Sequence, residues 1–193
     1  MLKNFYIFRN GESSYNVDDK LQGQSNHSVL TDKGISQAFN TAKFLKDKKI
    51  EVIISSPQRR AKQTGTIVAK QLNTSLQFDS RLVEANLGSI DGTKLDKLSK
   101  QNQEILALWQ NKSTTSNPRF KNGESKSEVR TRILSALNEY ANKEFTNIAI
   151  SSHNFPIIEA LQYVDTNKNT INNGEIVHLQ YNGTNWKFIQ SIN

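Results

Sequence analysis

The chain has 193 residues, a length that fits one domain with a normal buried core. It contains no cysteine, which excludes disulfides, thiolate zinc sites and cysteine nucleophiles together and fits a reducing compartment. A net charge of +7, from 25 Lys+Arg against 18 Asp+Glu, favours anionic partners, yet the densest basic runs, 46–49 and 59–62, lack the interleaved aromatics that single-strand nucleic-acid binding uses.

Phe5-Tyr6-Ile7-Phe8 reads as an apolar strand that runs straight into Arg9-Asn10-Gly11-Glu12, a charged turn. Arg9 offers a fixed fork of donors for a phosphate or carboxylate, and Gly11 lets backbone approach a ligand closely. Residues 12–33 are polar and without a period, a loop that contains Asn16, Gln22, Gly23 and His27. From Gly34 the residues Ile35, Ala38, Phe39, Ala42 and Leu45 recur at helical spacing, and the lysines at 46–49 suit a helix C-terminus. Val52-Ile53-Ile54 is a short run of β-branched residues, as expected of a strand buried on both faces.

A second helix is expected from Pro57 to about Asn73, with Ser56 as its N-cap and Pro57 at its first position. An arginine in its first turn, Arg59 or Arg60, opposes the helix dipole and needs some other reason to be there, such as a bound anion. Leu76-Gln77-Phe78 reads as a short strand, and 81–92 as a loop punctuated by Gly88 and Gly92. Leu95, Leu98, Ile105, Leu108 and Trp109 mark a helix from about Lys94 to Gln110, part of a helical lid or insert at about 93–122. Residues 111–124 are irregular and contribute Lys112, Arg119 and Lys121, which either influence the choice of substrate or form a solvated face.

Ser125 with Glu128 resembles a capping box ahead of a helix to about Lys143. Asn147 to Ser151 is a second strand of the buried type, with His153 just past its end and a helix from about Pro156 to Tyr163. The segments 176–181 and 186–189 alternate around Asn182-Gly183-Thr184-Asn185, a β-hairpin that closes a sheet edge.

Strands alternating with helices predict a single domain over 1–193, an α/β three-layer sandwich with a mainly parallel sheet. Ligands in such sheets sit outside the strand C-termini. Three of those ends carry Arg9-Asn10-Gly11, Ser55-Ser56-Pro57-Gln58-Arg59-Arg60 and Ser151-Ser152-His153. Two arginines and a histidine are expected to converge, with Glu84 offered by a loop. Arginines neutralise phosphoryl oxygens and a carboxylic acid protonates a leaving oxygen, so the set resembles a phosphoryl-transfer site.

The whole pattern resembles the histidine phosphatase superfamily, which includes the cofactor-dependent phosphoglycerate mutases. The resemblance rests on Arg9-Asn10-Gly11-Glu12, Asn16, Gln22-Gly23 and Leu30-Thr31-Asp32-Lys33-Gly34-Ile35-Ser36-Gln37-Ala38. It continues through the run from Ser55 to Thr64, Leu82-Val83-Glu84 with Gly88 and Gly92, Gly123-Glu124-Ser125 with Arg132, and Ser152-His153. It implies a phosphoglycerate mutase-like fold in which Arg9, Arg60 and His153 hold a phosphoryl group and Glu84 is the general acid. Asn16, Gln22, Gly23 and Asn154 border the substrate. It implies hydrolysis of a phosphomonoester through a phosphohistidine, with no metal or other cofactor. The partner expected is a small phosphorylated substrate or inorganic phosphate, and not nucleic acid or membrane. No stretch is apolar over the span of a bilayer, and the expected location is cytoplasmic.

In the family the nucleophile is the histidine of Arg-His-Gly, and in this chain that position is Asn10. An asparagine amide has no accessible proton equilibrium and is a poor nucleophile, so turnover is expected to be lost or strongly reduced. It still donates and accepts hydrogen bonds. The substitution is either natural or engineered. A natural pseudoenzyme that binds a phosphorylated metabolite or protein as sensor or scaffold is the alternative, and a phosphoglycerate mutase a second one. His27 is expected to be exposed and His178 to be a sheet residue. Asn154 stands where the family has a glycine, and with Phe155 it is expected to narrow the pocket or alter its backbone donors.

Overall fold

The computed structural model describes residues 1–111, 116–164, 166 and 168–192; Lys112 therefore lies outside the described residues. The elements in chain order are β1 (Lys3–Arg9), α1 (Ser14–Val17), α2 (Asp32–Leu45), β2 (Val52–Ser55), α3 (Arg59–Leu72), β3 (Leu76–Phe78), α4 (Lys100–Gln110), α5 (Lys126–Ala141), β4 (Asn147–Ser152), α6 (Asn154–Tyr163), β5 (Ile176–Tyr181) and β6 (Trp186–Ile192). They build one six-stranded sheet in the order β3-β2-β4-β1-β5-β6. The first four of these strands run parallel, and the β5–β6 hairpin joins β1 antiparallel, leaving β6 at the edge.

The two-residue period of β1 explains the layering. Phe5 and Ile7 point to one face, where they meet Ile133, Leu137, Ile157 and Leu161 of α5 and α6. Tyr6 and Phe8 point to the other, where Ala42 and Leu45 of α2 and Val68 of α3 cover them. The three-layer α/β/α sandwich follows because neither face is left to solvent. A third, smaller core gathers Ala85, Leu87, Ile90, Leu98, Trp109, Phe120 and Val129 beside the sheet ends. There Trp109 of α4 meets the ring of Phe155 edge-on at 4.9 Å, which seats α4 over the start of α6.

Several boundaries differ from the sequence expectation, each for a local reason. Helix α3 begins at Arg59 with Gln58 as N-cap, not at Pro57, because the Ser56 side chain is engaged elsewhere: it accepts from the Gln58 N–H at 3.3 Å and bonds His153. Helix α4 begins at Lys100, because the Ser99 hydroxyl accepts from the Asn102 N–H and Leu95 lies in a preceding 3₁₀ turn. Helix α6 begins at Asn154 with His153 itself at the N-cap. The capping box of Ser125 and Glu128 is present as expected.

Two glycines permit the close approach that seats the first turn. A Cβ on Gly11 would lie 2.3 Å from the carbonyl oxygen of Gly34, and one on Gly34 would lie 2.0 Å from that of Glu12. The turn after β1 and the start of α2 therefore pack backbone against backbone.

Candidate active site

Register alone brings three residues together. Arg9 pairs with Ser152, and Ser55 with Ser151, so Asn10 and His153 leave β1 and β4 side by side, and Ser56 leaves the neighbouring β2 one residue below them. Backbone bonds hold this arrangement, from Asn10 N–H to Ser152 O at 3.0 Å and from Ser56 N–H to Ser151 O at 2.9 Å. Buried serines tie the strand ends to their surroundings: Ser151 donates to Ala61 O and Ser152 to Leu82 O.

His153 is fully buried. Burial, with the charges of Arg60, Arg132 and Arg9, pushes its pKa well below the usual histidine value, so the ring is neutral. The Asn10 amide donates through Nδ2 to Gly11 O at 2.9 Å, which turns its Oδ1 toward the imidazole. His153 Nδ1 then donates to Asn10 Oδ1 at 3.1 Å, and Nε2 accepts from the Ser56 hydroxyl at 2.8 Å. One tautomer satisfies every partner, and no proton is left over.

Around this pair stand the charged residues. Arg60 curls back from the first turn of α3 to donate to Gly23 O at 2.9 Å and Ser25 O at 3.0 Å. Burial and the charge of Arg9 lower its pKa to about 10, while Glu84 acts to raise it. Gly23, with φ +44°, also receives Gln58 Nε2 at 3.1 Å; a Cβ there would run into the Asp91 carboxylate, 1.6 Å from Oδ1. Arg9 donates to Ile171 O at 2.6 Å, and its pKa too is lowered by burial.

Glu84 accepts from the N–H groups of Ala85 at 2.9 Å and of Asn154 and Phe155 at 3.1 Å, the last two at the start of α6. Burial outweighs these donors and both arginines, so its pKa is raised. The carboxyl thus holds a proton at a higher pH than an exposed glutamate does. Its backbone is fixed by Arg132, which donates to the carbonyls of Arg81, Val83 and Glu84 at 2.6–2.9 Å and pairs with both oxygens of Glu124 at 2.8 and 3.0 Å.

Arg9, Asn10, Asn16, Gln22, Gly23, Arg60, Glu84 and Asn154 all line one cleft of about 190 Å³. His153 lies beneath it, behind Asn10. Asn16 Oδ1 and Gln22 Oε1 flank the Ser13 hydroxyl at 2.9 and 3.0 Å and share its single proton. Sequence reasoning missed Ser56 as the partner of His153, and Asn173, whose amide donates to Asn10 O at 3.0 Å and Asn16 Oδ1 at 3.3 Å. It also missed the cleft's apolar lining by Leu21, Leu87 and Leu106. A polar residue in an Asn-rich loop or an isolated leucine carries no signal by itself.

Arg119 pairs with Glu128 at 2.7 Å, and neither it nor Lys121 is among the cleft's lining residues. His27 is exposed, and His178 stacks on Tyr6 and bonds Asn4 Oδ1 at 3.0 Å within the sheet. Among the described residues, no cluster of three or more His, Asp or Glu side chains is placed to hold a metal ion, and no helix is long and apolar enough to cross a membrane.

Over 134 residues the chain is 36% identical to a probable phosphoglycerate mutase GpmB of Erwinia tasmaniensis and 35% identical to one of Escherichia coli. Each match takes in 68% of this chain, which spans only 60% of the relative's length. Among solved structures, a mycobacterial hydrolase superposes with a TM-score of 0.86 at 20% identity, covering 98% of both chains. Bacillus stearothermophilus YhfR follows at 0.84 and 23%, covering 97% of this chain and 94% of its own. A mycobacterial glucosyl-3-phosphoglycerate phosphatase in complex with VO3 superposes at 0.83 and 20%, covering 97% and 98%. These three likenesses speak to the fold. The sequence pattern of the histidine phosphatase superfamily (branch 1) matches residues 5–193, and the chain belongs to that family.

Proposed function

We propose that this chain binds a phosphate monoester, or inorganic phosphate, in the cleft above the ends of β1, β2 and β4, and that it turns the ester over slowly or not at all. The observation that carries the reading is the environment of Asn10, which lines a cleft bearing two arginines and an acid with a raised pKa; the sequence resemblance assigns that position to the nucleophile. Two cations against one carboxyl leave an excess of positive charge for a dianion. Arg9 and Arg60 hold the phosphoryl oxygens, and Glu84 donates a proton to the leaving oxygen. Asn10 hydrogen-bonds the phosphoryl group where a histidine would attack it, so the covalent half-reaction is lost. No step in this scheme calls for a metal.

A role as a binding protein, without turnover, is the second reading. It is favoured by the fit of the Asn10 amide, which bonds Gly11 O through Nδ2 and His153 Nδ1 through Oδ1 and keeps its second Nδ2 hydrogen for a ligand.

Anion-dependent thermal unfolding tests the common part of both readings. Phosphate at a hundred times its Kd adds about 2.7 kcal/mol of stability and raises Tm by roughly 5–10 °C. Vanadate, the anion bound in the mycobacterial phosphatase, should act likewise. Arg60→Ala should abolish both shifts, and an undiminished shift in that variant overturns the placement of the phosphate.

A further inference from the structure

The cleft has two unlike halves. Its floor is charged and polar, whereas its wall is built from Leu21, Leu87, Leu95, Leu106 and Phe155, with Gln110 at the rim. Among the described residues that line it, the cations are Arg9 and Arg60, and both belong to the floor. Of the basic side chains outside that lining, Lys20 pairs with Asp18 at 2.9 Å and Arg119 with Glu128 at 2.7 Å. The wall is also firmly seated. Leu106 and Gln110 are one turn apart on α4, so they share a face, and Trp109 beside them is buried against Phe155.

A carboxylate on the alcohol half of the ester would lose water against this wall without meeting a counter-charge, whereas an aryl or alkyl group would bury apolar surface there. Resting on the phosphate-pocket reading above, we infer that the cleft selects monoesters of apolar alcohols, aryl or alkyl, over carboxylate-bearing ones such as phosphoglycerates, and that Leu106 and Leu95 determine this specificity. The chain then departs from the substrate named for its phosphoglycerate mutase relatives.

Isothermal titration of the chain as it stands tests this, since Asn10 allows an ester to be bound without being consumed. The probes are inorganic phosphate, phenyl phosphate and 3-phosphoglycerate. Phenyl phosphate should bind about tenfold tighter than phosphate, and 3-phosphoglycerate no tighter than phosphate. In Leu106→Ala and Leu95→Ala, at half-buried and exposed positions where truncation spares the fold, the ratio of phenyl phosphate to phosphate affinity should fall at least about threefold. The inference is overturned if 3-phosphoglycerate binds as tightly as phenyl phosphate, or if the ratio is unmoved in both variants. If phosphate binds and no aryl preference exists, the inference alone falls; if phosphate itself does not bind, the phosphate pocket falls and takes the inference with it.

Discussion

The floor of the cleft and its wall are held together by different physics. The floor is an array of buried polar groups with fixed partners: Asn10, Ser56, His153, Arg60 and Glu84 each have identifiable donors or acceptors, and most of those partners are backbone. The wall is a set of leucines on loops and on α4 with one phenylalanine at the start of α6, packed around Trp109. Packing tolerates substitution by similar volumes, while a buried hydrogen-bond array does not, so the floor dictates one chemical group and the wall is free to select what is attached to it.

The largest effect that would sharpen this contrast comes from a residue outside the cleft. Arg132→Ala removes the cation paired with the Glu124 carboxylate and the donor to the carbonyls of Arg81, Val83 and Glu84. Unfolding in urea should show a loss of about 3 kcal/mol. A variant of full stability would mean the floor does not depend on that support.

A smaller effect concerns pH. The folded His153 has a pKa well below its unfolded value of 6.5, so below pH 6.5 the unfolded chain takes up a proton that the folded chain refuses. Stability is fully present above pH 6.5 and falls toward the lower folded pKa, with a slope of about 1.4 kcal/mol per pH unit. Glu84, raised in the fold, acts with the opposite sign, as above the ordinary glutamate value the folded chain holds a proton that the unfolded chain releases. His153→Gln should remove the slope below pH 6.5, and its persistence in that variant would show that another group is responsible. The smallest effect is expected beyond the wall: Arg119→Ala, which breaks an exposed ion pair with Glu128 and a long bond to Gly123 O at 3.4 Å, should leave both Tm and phosphate binding unchanged.

The same division explains what the sequence made legible. Strands β2 and β4 stand out as runs of β-branched residues, the Ser125–Glu128 box as a cap, and the last two strands as a hairpin, because each is a local pattern. Arg9, Arg60 and His153 were legible because they follow strand ends, where an α/β sheet gathers its ligands. What stayed hidden was non-local. Ser56 reads as a helix cap until His153 arrives from a strand about a hundred residues later, and Leu95 reads as part of a helix until Ser99 starts α4 four residues on. Leu21 and Leu87 sit in loops with no period, so only folding shows that they face one cleft.

Activity of Asn10→His beside the unaltered chain, on p-nitrophenyl phosphate without added metal, tests the central claim most directly. The account predicts that the histidine variant gains turnover by about a thousandfold or more over the chain with Asn10. Efficient hydrolysis by the unaltered chain, or no gain on restoring the histidine while phosphate binding is intact, would contradict it.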